Sequence, residues 1–241
     1  MSASNPERGP AWLVLPTYEE ATNIERLVAD ARAKLPDDAH VLIVDDNSAD
    51  GTGRIAAELA DREVAVHALH RQTKEGLGPA YIAGFHHALA HGAGLIVEMD
   101  ADFSHEPAYL PRLLEAARRA DVVIGSRYVA GGGVSDWGAM RRAISRGGST
   151  YARLALGVEV RDLTGGFKCF RREVLEAIDL DAVRSRGYAF QVEVTYRAIQ
   201  LGFDVVEVPI VFRDRQAGSS KMSRSIVLEA IWRVPLLRLR R

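Results

Sequence analysis

The chain has 241 residues, of which 47% are hydrophobic and 26% are charged, and its formal net charge is −1. These values are typical of a globular protein with a sizeable core, and they exclude collagen-like and disordered chains. The single cysteine, Cys169, excludes an internal disulfide. The sequence has no run of about 18 apolar residues that would predict a membrane span, and residues 1–8 lack the apolar segment of a secretory signal.

The charge is unevenly distributed along the chain. Residues 213–241 contain eight basic and two acidic residues, a net charge of +6, whereas the preceding 212 residues carry −7. A basic segment on a mildly acidic body favours an anionic partner, which would be a phosphate group, a nucleic acid or a membrane surface. A solvated helix face is the alternative at this point.

Short apolar runs alternate with helical patterns over the first 125 residues. Strands are predicted over residues 12–15, 41–44, 64–69, 95–97 and 122–124. Helices are predicted from a Thr22 or Asn23 cap to about Lys34, over 55–59 and 79–91, and from Pro107 onward. Because strands this apolar are covered on both faces, the alternation predicts an α/β fold with a mostly parallel sheet between helices.

The second half of the chain continues this pattern with more glycine. We predict a helix over 138–157, a turn at 164–166, a strand over 167–170, and helices over 174–178 and 190–201. A strand over 205–212 contains Pro209, which favours a position near a sheet edge. The glycine run 131–133 is interpreted as a mobile loop. Residues 225–241 have apolar side chains at helical spacing and form the last predicted helix.

Polar and acidic clusters follow three of the predicted strands. They occupy residues 16–20 after the first strand, 45–48 after the second and 100–102 after the fourth. In open parallel sheets, ligands bind beyond the carboxyl ends of the strands. Since packing does not require three such clusters at one edge of a sheet, we expect the functional site there.

The most informative cluster is Asp100-Ala101-Asp102. Two carboxylates two residues apart lie on the same side of an extended chain, so both can face one hard cation. Mg²⁺ or Mn²⁺ bound there would keep coordination positions open for phosphate oxygens and water. A solvated pair of aspartates is the common explanation of such a sequence. The position directly after a buried strand favours the metal–diphosphate interpretation.

Three other nucleotide or metal signatures are absent from the sequence. No Gly-x-x-x-x-Gly-Lys-Ser/Thr sequence is present, which argues against a P-loop hydrolase. The first strand-to-helix turn lacks the glycines of a dinucleotide-binding motif, which argues against a nicotinamide dehydrogenase. The histidines form no zinc pattern with cysteine and are interpreted as surface or core residues; they include His67, His70, His86, His87 and His91.

Six motifs in register carry a resemblance to a known family over residues 11–222. They are Pro16-Thr17-Tyr18-x-Glu20, Val44-Asp45-Asp46-Asn47-Ser48-x-Asp50-Gly51-Thr52, Asp100-Ala101-Asp102-x-Ser104-His105, Gly125-Ser126-Arg127-Tyr128, Thr164-Gly165-Gly166-Phe167 and the segment from Arg215 to Lys221. The chain resembles the family 2 glycosyltransferases of the GT-A fold, and more narrowly the dolichol-phosphate (polyprenol-phosphate) mannose synthases. Each motif alone is weak, but six in order are specific.

The resemblance implies roles for individual residues. Asp100, Asp102 and Arg127 would be catalytic; Asp100 and Asp102 would bind the metal, and Ser104 is a third metal candidate. Ser104 stands where some relatives have a metal-binding Gln, and because a hydroxyl is a poorer ligand, a role through water is the alternative. Arg127, Arg141 and Ser145 match positions that receive the acceptor phosphate. The residues implied to hold the nucleotide sugar are Pro16, Tyr18, Glu20, Val44, Asp46, Asp100, Ala101, Asp102, Arg215 and Lys221.

The resemblance also implies an activity and partners. The expected reaction is inverting transfer of mannose from GDP-mannose to a polyprenyl monophosphate, dependent on Mg²⁺ or Mn²⁺. The lipid acceptor gives the basic C-terminal segment a membrane surface as its partner, and no nucleic acid is expected. Some relatives use a membrane-embedded partner protein. The expected location is the cytoplasm, with the protein peripheral on the cytoplasmic face of a membrane.

The resemblance divides the chain into an N-terminal tail (1–10), a GT-A catalytic domain (11–222) and a basic amphipathic helix (223–241). Three alternatives to a mannosyltransferase remain open. One is another family 2 transferase that uses a UDP-sugar, such as a polyprenol-phosphate glucosyltransferase. The second is a sugar nucleotidyltransferase, which usually has a glycine-rich loop after the first strand. The third is a non-catalytic binding subunit, which would not need Asp100, Asp102, Arg127 and Lys221 together.

Overall fold

The computed structural model describes residues 9–185, 187–214 and 234–238. The strands in these ranges are β1 (Ala11–Thr17), β2 (His40–Asp45), β3 (Val66–His70), β4 (Leu95–Glu98), β5 (Val122–Ser126), β6 (Gly133–Val134), β7 (Lys168–Arg171), β8 (Val205–Pro209) and β9 (Val211–Phe212). The helices are α1 (Ile24–Arg32), α2 (Thr52–Arg62), α3 (Leu77–Ala90), α4 (Leu110–Ala116), α5 (Ala139–Leu156), α6 (Arg172–Ala177) and α7 (Gly187–Gln200).

Seven of the strands form one sheet in the order β3-β2-β1-β4-β7-β5-β8. All neighbouring pairs are parallel except those of β7, which runs antiparallel to both β4 and β5. The apolar side chains of the central strands alternate between two cores. Helices α1, α2 and α4 pack on one face and α3, α5, α6 and α7 on the other. The predicted α/β fold, with a mostly parallel sheet covered on both faces, is therefore confirmed.

Several predicted boundaries are wrong for identifiable reasons. Asn23 precedes α1, but its amide donates to Glu20 Oε2 at 2.8 Å instead of capping the helix. Helix α2 extends well beyond the predicted 55–59, because the Asp50 carboxylate accepts the Thr52 N–H at 3.0 Å and so stabilises an earlier start. Pro107 begins a short 3₁₀ turn that leads into α4.

The region predicted as one strand over 205–212 forms two strands. Strand β8 ends at Pro209 on the sheet edge, which confirms the predicted edge position. Ile210 N then donates to Ser126 O at 3.0 Å, and β9 pairs with β6 in a second, two-stranded sheet. The glycine run predicted as a mobile loop is therefore partly a strand. A Cβ on Gly132 would lie 2.5 Å from Ser126 O, so this chain crossing requires glycine.

Most of the predicted C-terminal helix lies outside the described residues, as do residues 1–8 and the predicted boundary at 222/223. Residues 234–238 are helical, and Val234 is buried against the core that contains α5 and α6. Among the helices that the structure describes, none is both long enough and apolar enough to cross a bilayer.

Four histidines surround Trp12 on the α3 side of the sheet and form the histidine cluster (His40, His67, His87 and His91). The His40 and His67 rings stack on the indole with centroids 4.7 Å away, and His40 Nδ1 lies 3.0 Å from His67 Nε2. His87 and His91 stack on each other at 4.1 Å. Burial lowers the pKa of His40, His67 and His87, which keeps these imidazoles neutral near pH 7.

Candidate active site

The loops after β1 and β2 form one unit at the carboxyl edge of the sheet. Pro16 and Val44 are register partners in the parallel β1–β2 pair, so the residues that follow them leave the sheet side by side. Glu20 N then donates to Thr52 Oγ1 at 2.9 Å, which ties the first loop to the start of α2. The predicted nucleotide residues of the two loops are therefore neighbours in space.

The Asp46 carboxylate lies at the centre of this corner and is almost fully buried. It accepts hydrogen bonds from the Arg71 guanidinium and, at 2.8 Å, from Gly76 N. The adjacent Lys74 ammonium lies 3.4 Å from the centroid of the Tyr18 ring, a cation–π contact. Asp46 thus shapes the loop after β3, and that loop brings a cation to Tyr18.

Asp100 and Asp102 follow β4, and each carboxylate accepts a hydrogen bond from a buried hydroxyl. The Tyr81 hydroxyl donates to Asp100 Oδ1 at 3.2 Å, and burial raises the Tyr81 pKa so that the phenol keeps its proton. Ser104 donates to Asp102 Oδ1 from N at 3.0 Å and from Oγ at 2.5 Å. Ser104 is fully buried, which favours orientation of Asp102 over direct coordination of a cation.

The space beside Asp100 suits a bound cation and its ligand. The Asp100 side chain is 27% exposed, and a Cβ on Gly166 would lie 3.6 Å from Asp100 Oδ1. A larger residue than glycine would therefore fill this space. In the described part of the chain, no three His, Cys, Asp or Glu side chains converge on a metal-binding geometry. A cation held by Asp100 and Asp102 would complete its shell with phosphate oxygens and water.

A buried ion pair lies next to these carboxylates. Lys168 and Glu98 are register partners on β7 and β4, with Nζ 3.4 Å from Oε1 and both side chains fully buried. Lys168 Nζ also donates to Gln191 Oε1 at 2.5 Å. Burial raises the pKa of Glu98 and lowers that of Lys168, in each case against the attraction of the partner. The sequence analysis missed this group, because a lysine within an apolar strand gave no signal of its partners.

Arg127 follows β5, and its guanidinium is held by a partner from a distant loop. The Asp162 carboxylate accepts from Arg127 N at 2.9 Å, from Nε at 2.7 Å and from Nη2 at 2.6 Å. Thr164 Oγ1 accepts a further bond from Nη2 at 2.9 Å. The antiparallel direction of β7 explains this contact, because the loop before β7 reaches the same sheet edge as the carboxyl ends of β4 and β5.

The other predicted acceptor residues lie on α5. Ser145 Oγ is 2.6 Å from the hydroxyl of Tyr128, the residue that follows Arg127 in the chain. Arg141, one helical turn earlier, is half exposed, binds Asp214 at 2.8 Å and stacks over Trp137 at 4.2 Å. The Tyr128–Ser145 contact therefore connects the end of β5 to α5, and Arg141 lies nearer the protein surface.

Arg215 and Lys221, predicted to fold over the donor diphosphate, lie outside the described residues. Two partners of the predicted residues, Asp162 and Tyr81, were missed. Asp162 gave no distinct signal, because an aspartate shortly before a glycine turn is common in loops. Tyr81 carried none, because it reads as one of several apolar positions on α3.

Comparison with known proteins identifies close relatives. The chain matches the family model described as Glycosyl transferase family 2 over residues 12–179. It is 50% identical over 218 residues to an undecaprenyl-phosphate mannosyltransferase of Micrococcus luteus, covering 90% of this chain and 89% of that protein. It is also 50% identical over 227 residues to a polyprenol monophosphomannose synthase of Mycolicibacterium smegmatis, covering 92% of this chain and 84% of that protein.

Solved structures support the fold independently. Glucosyl-3-phosphoglycerate synthase from Mycobacterium tuberculosis, in complex with Mn²⁺, UDP and phosphoglyceric acid, superposes with a TM-score of 0.68. The sequences are 20% identical, and the match covers 94% of this chain and 78% of that chain. A second mycobacterial crystal structure gives a TM-score of 0.69 over 95% of this chain and 74% of that chain, with 19% identity. At such low identity these matches establish the fold alone.

Proposed function

The chain belongs to glycosyl transferase family 2 and is a hexosyltransferase, and from this premise we propose that it transfers mannose from GDP-mannose to a polyprenyl monophosphate. The observation that carries the proposal is 50% identity, over about nine-tenths of the chain, to two proteins named for polyprenol- or undecaprenyl-phosphate mannosyl transfer. The paired carboxylates after β4 and the held arginine after β5 are the groups that this chemistry needs.

The proposed reaction is a single displacement. An oxygen of the acceptor phosphate attacks the anomeric carbon of mannose, the bond between that carbon and the donor diphosphate breaks, and GDP leaves with the bonding electrons. A phosphate monoester has a second pKa of about 6, so its oxygen is already an anionic nucleophile near pH 7. No protein base is required. Attack from the face opposite GDP inverts the α-linked donor to a β-mannosyl phosphate.

Asp100 and Asp102 would hold Mg²⁺ or Mn²⁺ in this reaction. Bound there, the cation supplies charge neutralisation for the departing diphosphate. Tyr81 and Ser104 fix the orientation of the two carboxylates through the hydroxyl contacts at 3.2 and 2.5 Å. The glycine at position 166 leaves space for the sugar-diphosphate beside Asp100.

The corner between the β1 and β2 loops is proposed to bind the nucleotide. The residues proposed to hold the base and ribose there are Pro16, Tyr18, Glu20, Val44 and Asp46, with the backbone of Ala101 near the diphosphate. The Val44 side chain is buried in the core that contains α3, so its part is to set the strand end from which the loop leaves. Asp46 contributes by fixing the loop after β3, because its carboxylate is already bonded within the protein. Arg215 and Lys221 are proposed to close over the diphosphate and to shield the anomeric carbon from water.

Arg127, Arg141 and Ser145 are proposed to receive the acceptor phosphate, and the surface of α5 supports a lipid acceptor. Four large apolar residues form one exposed stripe along this helix, with exposures of 74%, 58%, 39% and 68%; they are Met140, Ile144, Tyr151 and Leu154. Arg141, the exposed residue next to Met140, borders the stripe, whereas the arginines at 142 and 146 lie on the far side of the helix. An apolar stripe bordered by a cation suits the interface of an anionic bilayer. We propose that this face of α5 contacts the cytoplasmic leaflet of the membrane.

A donor screen tests the proposal. Purified protein with a polyprenyl phosphate and Mg²⁺ is supplied in turn with GDP-mannose, UDP-glucose and UDP-N-acetylglucosamine, and labelled sugar is measured in the lipid fraction. Transfer from GDP-mannose alone is expected. Transfer from a UDP-sugar alone would replace the proposal with the alternative of a family 2 transferase that uses a UDP-sugar. A separate reaction supplies a nucleoside triphosphate and a sugar phosphate, and release of pyrophosphate there would replace the proposal with the nucleotidyltransferase alternative. Asp102→Asn, which removes one charge at constant volume, is the negative control.

A further inference from the structure

We infer that Asp162 is a positioning residue that holds one edge of the Arg127 guanidinium and so presents the opposite end to the acceptor phosphate. The inference rests on the proposed function, because it assigns a role in binding the acceptor of that reaction. Asp162 itself does not touch the acceptor. Its carboxylate is fully buried, and the Arg127 side chain is only 5% exposed.

The geometry of the pair is side-on. Asp162 Oδ2 accepts from Arg127 Nε at 2.7 Å and Oδ1 accepts from Nη2 at 2.6 Å, which is a bidentate contact on one edge. Thr164 Oγ1 takes a further Nη2 bond at 2.9 Å. A guanidinium has five N–H donors, and the contacts with Asp162 and Thr164 use the Nε and Nη2 donors. Within the residues that the structure describes, Nη1 makes no hydrogen bond, so its two donors remain for a ligand.

Two aromatic rings lie next to the guanidinium. Its central carbon lies 5.1 Å from the centroid of the Tyr128 ring and 5.5 Å from that of Phe212. With one edge bonded and aromatic rings nearby, rotation about the side-chain torsions is restricted. A planar group fixed in this way loses little further entropy when it binds phosphate.

The pair remains ionised despite its burial. Burial opposes charge on both groups, but the attraction between them raises the Arg127 pKa and lowers the Asp162 pKa. The buried charge of Arg127 is thus compensated before the acceptor arrives. Without Asp162, a buried cation would lose its partner and would be free to turn toward other carboxylates near the site.

Asp162 is itself anchored from two sides. The Glu207 carboxylate on β8 accepts from Arg161 N at 2.8 Å and from Asp162 N at 2.9 Å. Thr164 Oγ1 lies 2.9 Å from Ser149 Oγ on α5, the helix that also carries Ser145. Strand β8 and helix α5 therefore hold the loop that carries Asp162 and Thr164, and this loop in turn orients Arg127. Such supporting contacts are expected around a functional side chain that must keep one orientation.

The test measures the Michaelis constant for each substrate separately. Asp162→Asn should raise the KM for polyprenyl phosphate by about tenfold or more, while the KM for GDP-mannose and the affinity for GDP with Mn²⁺ stay within about twofold. A purely structural role would lower the amount of active protein without separating the two constants. The matched control is Asp121→Asn, which removes an ion pair with Arg171 at the opposite end of β5 and should leave both constants unchanged.

Two further variants keep the outcome decisive. If Asp162→Asn does not fold, Thr164→Val removes one hydrogen bond to Nη2 at nearly constant volume and should raise the acceptor KM by a smaller factor. Arg127→Ala provides the reference. An unchanged acceptor KM in Arg127→Ala would refute the acceptor role in the proposed function. A raised acceptor KM in Arg127→Ala, combined with wild-type constants in the folded Asp162 or Thr164 variant, would overturn the positioning role alone.

Discussion

Replacing Lys168 by Met should destabilise the protein strongly, because it leaves the Glu98 carboxylate buried without a counter-charge. Both side chains are fully buried, and Nζ lies 3.4 Å from Oε1. Methionine matches the length of lysine, so the change removes the charge with little loss of volume. Removing one partner of such a pair costs about 3–5 kcal/mol of unfolding free energy.

The paired substitution Glu98→Met with Lys168→Met isolates the electrostatic part of this cost. It removes both charges from the apolar surroundings, and replacing a buried pair by apolar residues is often close to neutral. Gln191 Oε1 would still lose the Lys168 donor at 2.5 Å, which costs about 1–3 kcal/mol. The double variant should therefore be more stable than Lys168→Met alone.

The assay is urea unfolding of the three proteins at pH 7 and pH 5. Burial raises the Glu98 pKa above its unfolded value of about 4.3 in the intact pair, and loss of the Lys168 attraction in Lys168→Met should raise it further. A group with a raised folded pKa contributes stability that is lost as the pH rises, so the deficit of the variant should be larger at pH 7 than at pH 5. A deficit below about 1 kcal/mol at pH 7, or a double variant no more stable than the single one, would refute this reasoning.

Three further outcomes follow from the same structure. Ser104→Ala should weaken Mn²⁺ binding in the presence of GDP several-fold, measured by electron paramagnetic resonance, because Asp102 loses its orienting hydroxyl; unchanged affinity would contradict that role. Gly84→Ala should lower stability by about 1–3 kcal/mol in urea, because its Cβ would lie 2.4 Å from Val14 Cγ1. Stability should fall as the pH decreases below about 6.5, because the lowered folded pKa values of His40, His67 and His87 mean that the unfolded chain binds more protons there. His67→Gln should flatten that slope in thermal melts, and equal slopes in the variant and the wild-type protein would contradict the interpretation.

The apolar strands and the clusters at their carboxyl ends could be predicted from the sequence. Continuous apolar runs such as Trp12–Leu15 require burial on both faces, and parallel strands then align their ends at one edge. This reasoning correctly placed the loops at Pro16 and Val44 side by side. The position of the acidic pair Asp100 and Asp102 at this edge could be predicted for the same reason.

The direction and position of β7 could not be predicted, because a run of apolar residues does not encode which strands it pairs with. Its insertion between β4 and β5 brings Asp162 to Arg127, 35 residues away, and Lys168 to Glu98. Asn23 gave a second failure, since a strong capping residue bonds Glu20 instead. Long-range pairing and competing polar partners are set by tertiary structure rather than by local sequence.

The anomeric configuration of the lipid product tests the central claim most directly. Protein, Mg²⁺ and polyprenyl phosphate are incubated with GDP-mannose labelled with ¹³C at the anomeric carbon, and the lipid product is examined by NMR. A single displacement by the acceptor phosphate predicts a mannosyl phosphodiester in the β configuration, with no label lost to water. An α-linked product, or label found only in free mannose, would contradict direct attack by the lipid phosphate.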